Sequence, residues 1–475
     1  MCSTLQARAS KRLTGRFGER RRSRSETGIA RDSSRRFGAA LTCAVLAVST
    51  LDGCTSGSTP SAQARNSVHI SIGTPQGVRA QQVVDMLNSD WPIGTDSVKT
   101  LAGPDQVDFV AGAMDLLWWE RPYTVADIEY GASSAELTLN TSYGGQQLIS
   151  LRVNDDSSFV DRFSVSTPAP PIHSWADVNS VLDRSGARYS WRVSKIVDGN
   201  CEQLAGAHTD LSLPLSSIFK TYVLYAVAEE VVAGRLAWDD EVTVTVDAKA
   251  NGSSAFDHLK PGDRIPVRLA AEKMIANSDN MATDLLIEKV GRHAVERALA
   301  DAGHHDPASM TPFPTMHELF SIGWGKPDLR EQWRDGDKAT RNRMLRAADA
   351  RRYVDDPMRA HTPASPYGVQ WYGSAEDICR IQTALQRIAV GPATPVRDIM
   401  STIPGIDLDR TQWPYIGAKA GNLPGDLTYS WYAVDRAGTP WVVSLQTSWD
   451  TFHGARTAAW LMGVVKGMFA LIPQR

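Results

Sequence analysis

Apolar residues fall at helical spacing over Val78–Leu87 (Val78, Val83, Val84, Leu87) and again over Val107–Trp119, so the pattern predicts two helices there. The period then shortens to two. Leu137, Leu139 and Thr141 alternate with polar neighbours, Gly144-Gly145 makes a turn, and Leu148–Val153 and Phe159–Val165 read as further strands. The stretch Thr167-Pro168-Ala169-Pro170-Pro171 breaks the pattern, as an extended joint between domains does. Beyond it come a helix over Ser174–Arg184 and strands over Tyr189–Val197 and Glu202–His208. A long helix over Ser217–Ala233 follows, closed by Gly234 in the usual C-terminal position. A mostly helical middle runs to about Val390, then strands return at Tyr415–Lys419, Leu427–Asp435 and Trp441–Thr447, before a last helix over Ala455–Leu471. Strands at both ends of this region, with helices between, imply one sheet assembled from its two termini. There is no internal repeat.

The start of the chain reads as an address. Arg8–Arg36 is rich in Arg, Ser and Gly without an apolar period, and the apolar run Phe37–Leu51 is too short to span a bilayer comfortably. That length suits a signal-peptide core. The run ends in Leu51-Asp52-Gly53-Cys54, which resembles a lipoprotein box, and Ser34-Arg35-Arg36-Phe37 resembles a twin-arginine signal. The box implies a lipid on Cys54, export, and anchoring to the outer face of the cytoplasmic membrane. The resulting plan is a signal peptide with a long basic start (1–53), a lipidated Cys and flexible tether (54–67), a small first domain (68–166), a Pro-rich linker (167–172) and a second domain (173–475). Cleavage would leave Cys201 and Cys379 as the remaining thiols, either bridged or buried and free.

Charge adds one exclusion. Of 50 basic and 53 acidic residues, positions 1–53 hold 11 and 4, so the body of the chain is acidic. Nucleic acid needs a basic face and is set aside as a partner. In the first domain, helices followed by a curved antiparallel sheet suggest an α+β fold of the cone-shaped, steroid-isomerase-like kind. Trp118-Trp119 would line a pocket there or simply fill its core.

The chemistry lies in the second domain. Ser217-Ile218-Phe219-Lys220 is the chain's one Ser-x-x-Lys, at the head of the long helix, where residues i and i+3 share a face. That helix is apolar nearly all round, so it is central and buried, and a lysine on it is desolvated into a base. Ser278-Asp279-Asn280 sits between helices over Leu269–Ala276 and Met281–Val290, and Lys419-Ala420-Gly421 ends a strand. Three such motifs in this order resemble those of class A β-lactamases and penicillin-binding proteins, over about Ser174 to Arg475. With the small domain in front, the layout is similar to actinobacterial lipoproteins of the LpqF type and to a serine hydrolase of clavulanic acid gene clusters. Trp371-Tyr372-Gly373-Ser374-Ala375-Glu376-Asp377 and Pro312-Phe313-Pro314-Thr315 carry that likeness.

The resemblance implies an α/β/α domain with an antiparallel sheet and a helical part, and it implies roles. Ser217 is the acylated nucleophile, Lys220 its base, Ser278 the proton relay steadied by Lys419, and Asn280 a substrate contact. Ala420, Gly421 and Asn422 line the substrate, with the backbone N–H groups of Ser217 and Asn422 as an oxyanion hole. Two departures matter. Ala420 replaces the usual hydroxyl residue, and no Glu-x-x-x-Asn deacylating segment follows Asn280; Glu318 is the nearest carboxylate and reads as a surface or capping group. The implied activity is hydrolysis of esters or amides, with β-lactams as slow acylators. A true class A β-lactamase and a ligand-binding envelope lipoprotein with little turnover are the alternatives. No Gly-x-Ser-x-Gly elbow occurs. His304-His305-Asp306 reads as an exposed turn rather than a metal site, and neither cofactor nor metal is expected.

Overall fold

The computed structural model describes residues 68–245 and 254–473. The expected signal, tether and Cys54 lie outside the described residues, and among those described no helix is long and apolar enough to cross a membrane.

The first domain opens with the helix Pro75–Leu87, whose start is set by Thr74: its hydroxyl accepts the Gly77 N–H, and Pro75 supplies a preset φ. The helix Val107–Trp118 follows, then four antiparallel strands in chain order, Thr124–Tyr130, Ser134–Asn140, Gln146–Val153 and Val160–Ser166. One face of that sheet packs on the helices through Leu137, Leu139, Ile149, Leu151 and Phe163, so the space beneath it is filled. Trp118 belongs to this core and donates from Nε1 to Ser89 O at 2.8 Å. Trp119 does something the sequence pattern did not suggest: it packs at the edge of this core and also stacks on His361 of the second domain, ring centroids 4.0 Å apart.

The second domain is built on a five-stranded antiparallel sheet in the order Tyr415–Leu423, Asp426–Val434, Pro440–Ser448, Arg188–Val197, Asn200–Ala207. The two N-terminal strands thus join the three C-terminal ones, as the distribution of strands along the sequence requires. Asp426–Val434 and Pro440–Ser448 are buried nearly throughout because both sheet faces are covered. On one face lies the helix Ala455–Ala470, with Trp460, Leu461, Val464, Val465 and Phe469 against Trp191, Trp431 and Leu445. On the other lies the helix Ala375–Ile388, where Cys379 meets Tyr432 and Val442 and Gln382 bonds Ser430. The helical part gathers around Lys220–Val232, which is buried on almost every side.

A disulfide between Cys201, on the edge strand, and Cys379 ties that strand to the helix beneath, bridging 178 residues of chain. Closing so long a loop restricts the unfolded state, so reduction is expected to cost about 2–4 kcal/mol of stability. The check is denaturant unfolding with and without reductant; identical midpoints would show the bridge to be energetically idle.

Candidate active site

The site begins with a forced turn. A short strand pair, Leu213–Pro214 with Tyr372–Gly373, brings the chain to Leu215, whose N–H donates to Trp371 O at 2.8 Å and whose carbonyl accepts the Thr428 hydroxyl at 2.9 Å. Ser216 then takes φ 44°, a left-handed conformation that costs a non-glycine residue about 1–2 kcal/mol. The reversal launches a 3-10 turn over Ser216–Phe219, and the α-helix proper starts only at Lys220. Ser217 is therefore presented from a tight turn, half-buried, rather than from regular helix as its sequence pattern predicts. Phe219 anchors the turn by stacking on Trp371 at 3.6 Å and leaning on Phe313.

Around this turn two buried lysines converge on one hydroxyl. Lys220 Nζ donates to Ser278 O at 2.6 Å and to Asn280 Oδ1 at 2.7 Å, and lies 3.2 Å from Ser278 Oγ. Lys419 Nζ donates to the same Oγ at 3.0 Å and to Ala420 O at 2.6 Å. The corner that presents Ser278 and Asn280 is held by Asp279, fully buried, which accepts the N–H groups of Ala282 at 2.8 Å and Ala255 at 3.2 Å. Ser278 itself has φ 55°, a second strained residue at the site. Burial, then the neighbouring Lys419, holds Lys220 well below the ordinary lysine range, and burial lowers Lys419 to about 7. An unprotonated Lys220 keeps a lone pair for the Ser278 O–H while Lys419 donates to that oxygen, which makes a proton path across Ser278. Helical spacing predicts a direct bond between Lys220 and the Ser217 hydroxyl. Among the described residues that hydroxyl has no hydrogen bond, because Lys220 is held by the Ser278–Asn280 corner instead.

The wall opposite is the edge strand Tyr415–Leu423. It does not end at Lys419; Gly421 and Asn422 continue it, paired with Thr428 and Leu427, and the turn falls at Pro424-Gly425. Lys419 and Gly421 are buried, while Ala420 and Asn422 are exposed. A Cβ on Gly421 would lie 2.6 Å from Ser217 N, 2.6 Å from Ser216 Cβ and 2.5 Å from Thr428 Oγ1. Only glycine lets the strand pass so close to the nucleophile's turn. Ala420 offers a methyl group and no hydroxyl.

Glu318 is buried, not on the surface, and it caps. Its carboxylate accepts the Thr315 N–H at 2.8 Å and pairs with Arg292 at 2.6 Å, while Thr315 Oγ1 accepts the Glu318 N–H at 3.2 Å. Asp284, one turn beyond Asn280 on the helix Asn280–Val290, accepts the N–H groups of Met316 and His317 at 2.7 and 2.9 Å. It thereby pins the start of the helix Met316–Gly323, and burial pushes its carboxyl up to about 7. Asp284 is a residue sequence reasoning missed; its i+4 spacing from Asn280 was the available signal.

The expected exposed turn at His304-His305-Asp306 is corrected. His304 is buried, and with His305 and Asp377 it forms a cluster close enough to share a cation. The donor set is nevertheless spent. His304 Nδ1 accepts the Asp306 N–H at 3.0 Å, so Nε2 carries the proton and donates to Tyr372 O at 3.0 Å. Asp377 takes the Ser374 N–H and hydroxyl, the His305 N–H and His305 Nδ1. Asp377 completes the capping box of the helix Ala375–Ile388, whose N-cap is Ser374, and is saturated by its own neighbourhood.

Residues 174–353 match a family model described as the β-lactamase enzyme family, and residues 72–158 match one described as the ORF 12 gene product N-terminal region. The α+β fold of the second domain is accordingly β-lactamase/transpeptidase-like. Among solved structures, a β-lactamase from Sphaerobacter thermophilus is similar at 20% identity, over 63% of this chain and 98% of that one, with a TM-score of 0.44. A β-lactamase from Xanthomonas campestris gives 17%, 63%, 96% and 0.43, and the structure of PBP-A gives 14%, 64%, 99% and 0.42. No curated protein matches the chain.

Proposed function

We propose that the protein is an exported, lipid-anchored serine hydrolase that attacks ester or amide carbonyls through an acyl-Ser217 intermediate, with β-lactams as acylating agents that leave slowly. One observation carries this reading: two desolvated lysines share the Ser278 hydroxyl beside the Ser217 turn. A base with a lowered pKa, a relay hydroxyl and a steadying ammonium are what acyl transfer from serine needs. In the forward step the Ser217 oxygen bonds the carbonyl carbon, and its proton passes to Lys220. After collapse of the tetrahedral intermediate the leaving nitrogen or oxygen takes a proton through Ser278. The N–H groups of Ser217 and Asn422 would hold the oxyanion between them.

Slow deacylation is supported by Glu318, whose carboxylate is committed to Thr315 and Arg292 as a helix cap. Neutral substrates suit a wall in which Ala420 offers no hydroxyl for a carboxylate. Export is supported by the Cys201–Cys379 disulfide, since such bonds persist outside the reducing cytosol. Pre-steady-state kinetics with an activated ester and a penicillin test the proposal. The expected record is a stoichiometric burst followed by slow turnover with the penicillin. Fast linear penicillin consumption without a burst would indicate a true β-lactamase, and absence of either phase with both probes would indicate a binding protein.

A further inference from the structure

The first domain reaches the second through Tyr143, which packs on Trp460, and through the adjacent Trp119 and Glu120, whose contacts run toward the active-site wall. Glu120 is fully buried, yet every hydrogen bond to its carboxylate comes from the other domain. Its Oε1 accepts the N–H groups of Gly454 at 3.0 Å and Thr457 at 3.1 Å, its Oε2 accepts the Thr457 hydroxyl, and His453 Nδ1 lies 3.4 Å away. The helix Ala455–Ala470 has Gly454 at its N-cap and no side-chain cap of its own. The first domain therefore supplies the anionic cap that this helix lacks. His453 in turn packs on Trp449, 4.3 Å between rings, and Trp449 N–H donates to Gly425 O at 2.8 Å.

Trp119 makes the second contact. It stacks on His361 and meets Phe452 edge-on at 5.1 Å, and those two rings touch each other at 4.7 Å. The segment after His361 closes on the same hairpin turn. Pro363 packs against Gly425, and Ser365 and Gln370 each donate to the buried Asp426 carboxylate at 3.1 Å. Gly425 belongs to the turn that follows Asn422 and Leu423, and Asp426 opens the next strand, paired with Leu423. Two chains of contact, one from Glu120 and one from Trp119, thus end on the turn that fixes the edge strand beside Ser217.

We infer that the first domain is a positioning element for this strand, acting through Glu120 and Trp119 to hold the Asn422 backbone at the distance an oxyanion requires. The inference rests on the acyl-Ser217 reading above. Neither residue touches the reacting atoms, so what they set is geometry, and a misplacement of about 1 Å in such a site costs on the order of a hundredfold in rate.

The experiment compares Trp119→Ala, Trp119→Phe and Glu120→Ala with the parent protein, and with Trp91→Ala as a control on the exposed surface of the same domain. For each, the penicillin acylation rate constant, the non-covalent penicillin affinity and the affinity for a phenylboronic acid, a tetrahedral mimic, are measured on protein shown to be folded by thermal unfolding. Trp119→Ala is expected to lower acylation and boronate affinity together, by about tenfold or more, with non-covalent affinity unchanged. Trp119→Phe should recover most of both, and Trp91→Ala should alter neither. Trp119→Ala that is folded and acylates like the parent overturns the inference, even where Glu120→Ala fails to fold. A parent protein that is not acylated at Ser217 would overturn the functional reading itself.

Discussion

Lys220→Met is expected to slow acylation of Ser217 by about 10²–10⁴-fold, the range a positioned general base contributes. The side chain it replaces is fully buried, so methionine fills the same space without an ionisable nitrogen to desolvate. Folding stability should hold or rise while acylation collapses. That opposition separates a catalytic loss from a structural one, and it is read by acylation kinetics beside denaturant unfolding. A Lys220→Met protein acylated at the parent rate would remove Lys220 from the mechanism.

The same lysines set the pH response. Both are held below the ordinary lysine value, so acylation should rise as Lys220 loses its proton and fall above about pH 7 as Lys419 loses the one that steadies Ser278. Because the two are close, the limbs belong to the pair. Stability has a definite sign as well. A lysine with a depressed folded value binds its proton more tightly when unfolded, so the unfolded state holds more protons between about pH 7 and the unfolded lysine value. The cost of burying charge is fully present below that window, and stability should climb as pH rises through it. Flat acylation from pH 5 to 10 would contradict the assignment.

Gly421→Ala is the second large effect. The added methyl would sit 2.6 Å from Ser217 N and Ser216 Cβ, and the first of these is backbone that cannot rotate away. Either the strand retreats or the nucleophile's turn shifts, and both spoil the pairing of an attacking oxygen with its oxyanion donors. Acylation should fall by about a hundredfold, the scale of losing one such donor. Ala420→Ser is the contrasting substitution on the exposed side of the same strand. It should fold normally and, by restoring a hydroxyl, favour carboxylate-bearing substrates.

These residues also show where the sequence was legible. The motifs at Ser217–Lys220, Ser278–Asn280 and Lys419–Gly421 lie far apart in the chain, yet each announces a local geometry, and the strand–helix order places all three around the central helix. Lys220, Ser278, Asn280 and Lys419 do converge, at 2.7 to 3.2 Å. What the pattern hid was long-range. The 3-10 turn at Ser217 depends on Ser216 being forced to positive φ by the strand beside it, which no local periodicity signals. Edge-strand length was underestimated because Gly421 looks like a strand breaker, whereas it is the residue that lets the strand continue past the nucleophile. His304 reads as exposed because its partner Tyr372 is 68 residues away, and Glu318 reads as either surface or cap because Arg292 is 26 residues away. Trp119 and Glu120 could be placed only once the second domain supplied their partners.

The most direct test is intact-mass analysis of the purified protein after incubation with a penicillin, beside Ser217→Ala. The account predicts one adduct of the full penicillin mass, mapped to the peptide containing Ser217, persisting for minutes, and absent from the substituted protein. An adduct of the same mass on the Ser217→Ala protein would contradict it, because the nucleophile would then lie elsewhere.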